Sequence, residues 1–265
     1  MRSQRHAEIL ELLNERQCLS VNEIIDALDI SAATARRDLD YLASEGLLQR
    51  TRGGAQSNQN VLTNPMSRRE SSHLPQKTAI ARAAIEHLQP GMIIGFTGGS
   101  TVGEVARELS QWVYQHQDVE LNAAQPLLTV VTNAVDIAYA LAENSRIKIV
   151  LIGGEVNSYS YEITGPFATD MLKNISLDLA FIGVNGFDQN GPGTVNEYEA
   201  MVNSAMATRA EKTFIVADSS KFGKRSFSSV GGVENISEVI TDSQLRPELA
   251  EEVQNLGYNL KIVDL

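Results

Sequence analysis

One cysteine, Cys18, and four histidines stand in 265 residues. A single thiol excludes an internal disulfide framework and a cysteine-rich zinc module. No His/Cys pair has ligand spacing, so no metal is expected, and no pattern calls for a cofactor. Seven prolines and 19 glycines are too few for a collagen-like or low-complexity chain. No run of 18 apolar residues is found, which argues against a membrane-spanning helix. The opening MRSQRHAEIL carries charge early and lacks the apolar core and small-residue cleavage site of a secretory signal. These absences predict a cytoplasmic chain with no membrane partner. Cations are also scarce, 22 Lys and Arg against 33 Asp and Glu, for a net charge of -11. Such a field does not coat nucleic acid or anionic lipid. It leaves room for a local basic reading head. Residues 1–56 hold seven Arg against nine acidic residues, and most of the acidity lies beyond them.

What is present is an ordinary globular balance, 43% hydrophobic and 21% charged, at a length suited to two modest domains. Residues 4 to 56 show helical spacing of Leu, Ile and Ala. Gln56-Ser57-Asn58-Gln59-Asn60 then reads as a linker. From Pro75 onward, short aliphatic runs alternate with amphipathic stretches: MIIGF, LLTVV, IKIVLIGG, LDLAFIGV, KTFIVAD, EVITD and LKIVD. Runs this short and apolar predict parallel strands buried on both faces, hence α/β layering. The expected division is a small helical head at 1–56, a linker at 57–74 and an α/β domain at 75–265.

In the head, a first helix from Gln4 to Arg16 places Ile9, Leu12 and Leu13 on one face. Ser20 and Glu23 form a capping box for a second helix with Val21, Ile24, Ile25 and Leu28 inward. Cys18 falls at the turn between the two, as a small buried residue. Ser31 caps a third helix whose buried stripe is Ala35, Leu39 and Leu42. At about 100° per residue, Ala33 and Arg37 point away from that stripe, with Thr34 and Arg36 on its shoulders. The outward face is small, hydroxylated and cationic, and the helix start favours phosphate. That geometry suits a recognition helix in the major groove. Leu47 to Ala55, with Gly53-Gly54, reads as a β-hairpin wing on which Arg50 and Arg52 share one face toward phosphate. The competing reading is a generic three-helix module with Arg36 and Asp40 as a surface pair.

Ser31-Ala32-Ala33-Thr34-Ala35-Arg36-Arg37-Asp38-Leu39, then Glu45-Gly46-Leu47-Leu48 and Arg52-Gly53-Gly54-Ala55, resembles the signature of DeoR-type bacterial transcriptional repressors. The resemblance implies that Ser31, Thr34, Arg36 and Arg37 lie at the DNA and that Arg50 and Arg52 belong to the wing.

In the second segment, Met92–Phe96 runs into Thr97-Gly98-Gly99-Ser100-Thr101 and then a helix. A strand, a glycine turn and a helix start expose N–H groups, so this loop is a candidate phosphate cradle. It is neither a Walker A loop nor a dinucleotide fingerprint. Other strands close on Thr132-Asn133, Gly153-Gly154, Gly183 to Gly186, and Ala217-Asp218 to Lys221. Loops after parallel strands gather into one crevice, where Lys221 offers a cation and Asp218 an acceptor for sugar hydroxyls. The plainer reading pairs Lys221 with Asp218 in a solvated loop.

This layout is also similar to the DeoR-type sensor domain, which resembles ribose-5-phosphate isomerase and glucosamine-6-phosphate deaminase folds. By position the resemblance implies a ligand set of Gly98, Gly99, Ser100, Thr101, Thr132, Asn133, Gly153, Gly154, Glu199 and Lys221. Three positions depart from the family pattern: Thr97 where Asp is usual, Asn203 where Lys is common, and Asn157 where a basic residue is usual. Two cations are therefore missing around the expected anion. The resemblance implies a repressor of a carbohydrate or polyol operon, relieved by a phosphorylated sugar or related metabolite. It would act on operator DNA as a homo-oligomer, a dimer or a tetramer. The alternative is a sugar-phosphate isomerase or deaminase with an appended head. Such chemistry needs a carboxylate base such as Glu199, Asp218 or Asp188. With Thr97 in place of Asp and no crevice histidine, no catalytic residue is assigned.

Overall fold

A computed structural model of the chain describes residues 5–6, 8–9, 12–13, 18–28, 30–44, 48–51, 53–57, 72–119 and 126–265. The chain divides into two compact units, Met1–Arg69 and Glu70–Leu265.

In the first unit, helical turns at residues 5–6, 8–9 and 12–13 precede β1 (Cys18–Ser20), α1 (Val21–Leu28) and α2 (Ala32–Ser44). The wing follows as β2 (Leu48–Thr51) and β3 (Gly54–Ser57). Ser20 N–H donates to Glu23 Oε2 at 2.7 Å and Glu23 N–H to Ser20 Oγ at 3.2 Å, the reciprocal box that starts α1. Ser31 Oγ accepts Thr34 N–H at 3.2 Å and starts α2. Ile9, Leu13, Leu19, Ile24, Ala35, Leu39, Leu42, Leu48 and Ala55 form one core.

One element departs from the sequence reading. Cys18 lies in a strand and not in a turn, because β1 pairs antiparallel with β3 and makes a three-stranded sheet of order β1-β3-β2. The pairing is close. A Cβ at Gly54 would fall 1.9 Å from the Leu19 carbonyl oxygen, so only glycine fits.

Asp38 is a buried acid on α2. Arg5 Nε donates to its Oδ2 at 2.6 Å, His6 Nε2 lies 3.1 Å from Oδ1, and His6 stacks on Tyr41 at 5.1 Å. These contacts pin the first helical segment to α2.

In the second unit, the seven apolar runs become one parallel seven-stranded sheet. Its strands are β4 (Ile93–Phe96), β5 (Leu128–Thr132), β6 (Ile147–Leu151), β9 (Leu177–Ile182), β12 (Ala210–Val216), β14 (Glu238–Asp242) and β15 (Leu260–Val263). The order is β15-β14-β12-β9-β4-β5-β6. Helices α3 (Leu74–Ile85), α4 (Ser100–Gln115) and α5 (Val135–Leu141) cover one face. The other face carries α6 (Pro166–Leu172), α7 (Glu197–Arg209) and α8 (Pro247–Asn255). Two small antiparallel additions leave the sheet: the hairpin β7 (Glu155–Val156) and β8 (Ile163–Thr164), and the trio β10 (Gly186–Asp188), β11 (Gly191–Thr194) and β13 (Ser228–Ser229). Chain order runs outward in both directions from β4 and β9. Their connections therefore part at the carboxyl ends of these two strands, the switch point where such sheets bind ligands.

Asp38→Ala is expected to destabilise the first unit by about 1–2 kcal/mol in thermal or urea unfolding, since Arg5 and His6 lose their acceptor. Burial opposes ionisation of Asp38, but the hydrogen bonds from Arg5 and His6 outweigh it and hold the carboxyl below its usual value. Its contribution is thus complete above the unfolded value of 3.8 and disappears as pH falls through the lower folded value. An Asp38→Ala variant whose stability matches the parent at pH 7 would contradict this.

Candidate functional site

The exposed face of α2 carries the residues expected at DNA. Ser31, Ala33, Arg36 and Arg37 are exposed, and Thr34 is half-buried with its hydroxyl 2.9 Å from Ser31 Oγ. Asp40 does not pair with Arg36. Arg50 Nε donates to Asp40 Oδ1 at 2.9 Å, and its guanidinium also donates to the Gly54 carbonyl. Arg50, expected at phosphate, here joins the wing to α2. Arg36 and Arg37 form no ion pair among the described residues. Arg52 lies outside the described residues.

At the sheet switch point, Gly98 follows β4 and Gly99 caps α4 with φ at +105°, a conformation that favours glycine. No side chain caps α4, so Gly99, Ser100 and Thr101 start the helix without one. Thr97 Oγ1 accepts the Gly183 N–H at 3.0 Å and ties the ends of β4 and β9 together. The two glycines meet closely: a Cβ at Gly183 would stand 2.7 Å from the Gly98 carbonyl oxygen.

Into this gap the β7–β8 hairpin delivers Glu162. Tyr161 takes the left-handed conformation at φ +58°, uncommon for a bulky side chain. Its N–H donates to the Asn157 carbonyl at 2.8 Å, closing the turn. Tyr161 consequently points outward, while Ser160, Glu162 and Thr164 are buried. A Cβ at Gly98 would lie 2.3 Å from Glu162 Cγ, so Gly98 makes room for this carboxyl, which accepts the Gly98 N–H. Asn133 Nδ2 donates to Glu162 Oε2 at 3.2 Å and to the Ile163 carbonyl at 3.1 Å. Burial, and next the nearby Glu199 carboxylate, push the Glu162 carboxyl up to about 8. Glu199, at the start of α7, accepts from Ser160 Oγ at 2.7 Å and Asn157 Nδ2 at 3.0 Å. Asn203, one turn further on, donates to the Gly183 carbonyl at 3.4 Å.

Of the expected ligand residues, Gly98, Asn133 and Glu199 meet in this cluster, with Gly99, Ser100 and Thr101 on the adjoining helix start. Thr132 ends β5 beside it, its Oγ1 accepting the Ala134 N–H. Gly153 and Gly154 follow β6, two strands from β4. A Cβ at Gly154 would lie 2.6 Å from the Thr164 carbonyl oxygen, so that glycine lets the hairpin pack. Lys221 ends the 3-10 turn Ser219–Lys221 after β12, on the same sheet end. Asp218, expected to accept sugar hydroxyls, is instead buried and accepts the Ser220 N–H at 3.0 Å. Sequence reasoning passed over Glu162, Ser160 and Asp136. Ser160 and Glu162 precede the two-residue strand β8, and Ile163 between Glu162 and Thr164 is buried as well, so no alternating pattern marks them in the sequence.

Below about pH 4.5 Glu162 is protonated in folded and unfolded chains alike. Between 4.5 and about 8 only the unfolded chain releases the proton, so the folded state loses stability as pH rises and then levels off. Glu162→Gln is expected to flatten that slope and to be the more stable protein at pH 8.5, by ~2 kcal/mol or more in thermal unfolding. A slope that survives the substitution would show that other groups set it.

The same two units are found in known proteins. Residues 5–61 match the model of the DeoR-like helix-turn-helix domain, and residues 72–243 that of the DeoR C terminal sensor domain. The HTH-type transcriptional regulator GlpR of Haloferax volcanii is 33% identical, covering 97% of this chain and 96% of that protein. The glycerol-3-phosphate regulon repressor of Escherichia coli K12 is 29% identical over 91% of each chain. Ribose 5-phosphate isomerase A from Methanocaldococcus jannaschii aligns with 58% of this chain and 56% of its own at a TM-score of 0.41 and 17% identity. With a matched head, a matched sensor and relatives aligned almost end to end, this chain belongs to the DeoR family of DNA-binding transcriptional regulators.

Proposed function

We propose that this regulator represses an operon for carbohydrate or polyol use until a phosphorylated sugar or related metabolite occupies the switch-point crevice. The observation that carries the reading is the outward face of α2: a Ser31-capped start with Arg36 and Arg37 exposed, opposite the buried Ala35, Leu39 and Leu42. A helix with one buried stripe and a cationic opposite face suits the major groove. Ser31, Ala33, Thr34, Arg36 and Arg37 meet the operator, Arg50 steadies the wing and Arg52 extends it toward phosphate. A relative named for repression of a glycerol-3-phosphate regulon supports a phosphorylated polyol or sugar as the signal. Two or more copies, a dimer or a tetramer, read symmetric half-sites in the cytoplasm. Ligand acts only through a different affinity for the DNA-competent and DNA-released arrangements.

The crevice is proposed to bind and not to catalyse. A general base must be ionised at working pH. Glu162 holds its proton there, Glu199 is engaged by Ser160 and Asn157, Asp218 by its own turn, and Asp188 by Asn190. Turnover of ribose 5-phosphate or an amino-sugar phosphate by the purified protein would reverse this reading.

Gel-retardation with the promoter upstream of the gene is expected to show a salt-sensitive complex. Arg37→Ala should weaken it by about 1–3 kcal/mol with the fold intact by circular dichroism. Lys221→Ala should keep DNA binding and lose release by ligand. Unchanged operator affinity in the first variant, or normal release in the second, would remove that residue from its role.

A further inference from the structure

Around the switch point the chain supplies hydrogen-bond acceptors in excess. Glu162 is met by a backbone N–H and an amide, and Glu199 by a hydroxyl and an amide. Among the described residues, no ion pair joins Glu162, Glu199 or Asp136 to a cation. Two amide oxygens add to the surplus. Asn133 Oδ1 and Asn203 Oδ1 are buried without a hydrogen-bond partner, on side chains only 0% and 2% exposed. Asn133 spends its nitrogen on Glu162 and Ile163, and Asn203 turns its nitrogen to Gly183, so both carbonyl ends are left over. A buried acceptor without a donor costs about 1–3 kcal/mol, and native proteins keep few of them. A divalent metal is not the natural occupant, because no group of three or more His, Cys, Asp or Glu among the described residues is arranged to hold one.

A phosphate cannot satisfy these groups, since it brings more acceptors and negative charge. Hydroxyls satisfy the amides. An ammonium satisfies the amides and the carboxylates together, with three donors and one positive charge. We propose that the regulator senses an amino-substituted sugar or polyol phosphate, its ammonium seated among Glu162, Glu199 and Asn203 and its phosphate at the Gly99–Thr101 helix start. This rests on the crevice being the effector site and adds to that reading the amine. It accounts for the neutral Asn157 and Asn203 as acceptors and donors suited to a cationic ligand.

Binding then moves a proton. Glu162, which faces Glu199 on α7, Asp136 on α5, Asn133 and the Gly98 N–H, is protonated at pH 7 in the free protein. An ammonium beside it favours the carboxylate, so the proton passes to buffer as ligand binds. A neutral sugar ring gives no such release.

Titration calorimetry on the full-length protein at pH 7, in two buffers of different ionisation enthalpy, tests this. The probes are the 2-amino-2-deoxy hexose 6-phosphates and the matching hexose 6-phosphates of gluco, galacto and manno configuration. At least one aminated probe should bind about tenfold or more tightly than its hydroxyl counterpart and release close to one proton. Glu162→Gln should abolish the release and most of the preference. Asn203→Lys should shift preference to the hydroxyl probe, giving a second reading if Glu162→Gln fails to fold. Equal or stronger binding of the hydroxyl probes to the parent protein overturns the amine and leaves the sugar-phosphate sensor standing. No binding by any probe at millimolar concentration, with operator binding intact, overturns both.

Discussion

A carboxyl group buried without a countercharge governs the architecture of the sensor unit. Glu162 enters the gap where the connections from β4 and β9 part, and the surroundings are fitted to it. Gly98 is glycine because any larger residue would overlap the Glu162 side chain, and Gly183 because the end of β9 lies against the Gly98 carbonyl. Thr97 fixes the spacing of the two strands by accepting the Gly183 N–H. Even the strain at Tyr161 belongs to this arrangement, since the left-handed turn is what sets Ser160 and Glu162 inward and Tyr161 outward. Burying a charge unpaired is too expensive, so the group keeps its proton and the site remains neutral at that position.

The head solves the opposite problem. Its acidic residues outnumber its arginines, yet the acids nearest the recognition face are consumed. Asp38 is turned inward to Arg5 and His6, and Asp40 is held by Arg50 from the wing. What remains outward at the start of α2 is Arg36 and Arg37. Net charge over a segment is therefore a poor guide to the field at one helix end, because pairing removes charges selectively. The wing arginine thus takes up the outward acid of α2 and joins the wing to that helix.

Much of this was legible in the sequence, for a physical reason. Strands inside a sheet covered on both faces must be apolar, and each of the seven apolar runs became a strand of the sheet. β6 and β15, at its edges, are only partly buried where burial on both faces was expected. Caps are local, so Ser20 with Glu23 and Ser31 with Thr34 could be read directly. The elements that escaped are short or depend on distant partners. β1 spans three residues and exists because Gly54 lets β3 approach Leu19. β7 and β8 span two residues each, too few for a period to register. The burial of Glu162 depends on Asn133 and Gly98, far away in the chain, and nothing beside Glu162 announces it. Asp218 was misjudged for a related reason: a carboxylate at a strand end reads as available until its own turn claims it.

The cost of the cluster bears on how a sensor works. A site whose acceptors were all satisfied within the protein would gain little from any ligand, and a ligand that gains little differentially shifts no equilibrium. Leaving Asn133 Oδ1 and Asn203 Oδ1 unmet, and an acid held against its usual ionisation, keeps the ligand-free unit less stable than its fold allows. That deficit is recovered only by a molecule presenting donors at those atoms. Removing it, by adding a cation or deleting the acid, would stabilise the unit while reducing what a ligand can change. With Asn203 in place of a basic residue, the unmet group at that position is an acceptor and not a cation. On the proposal made above, this moves the demand at that position from anion to donor.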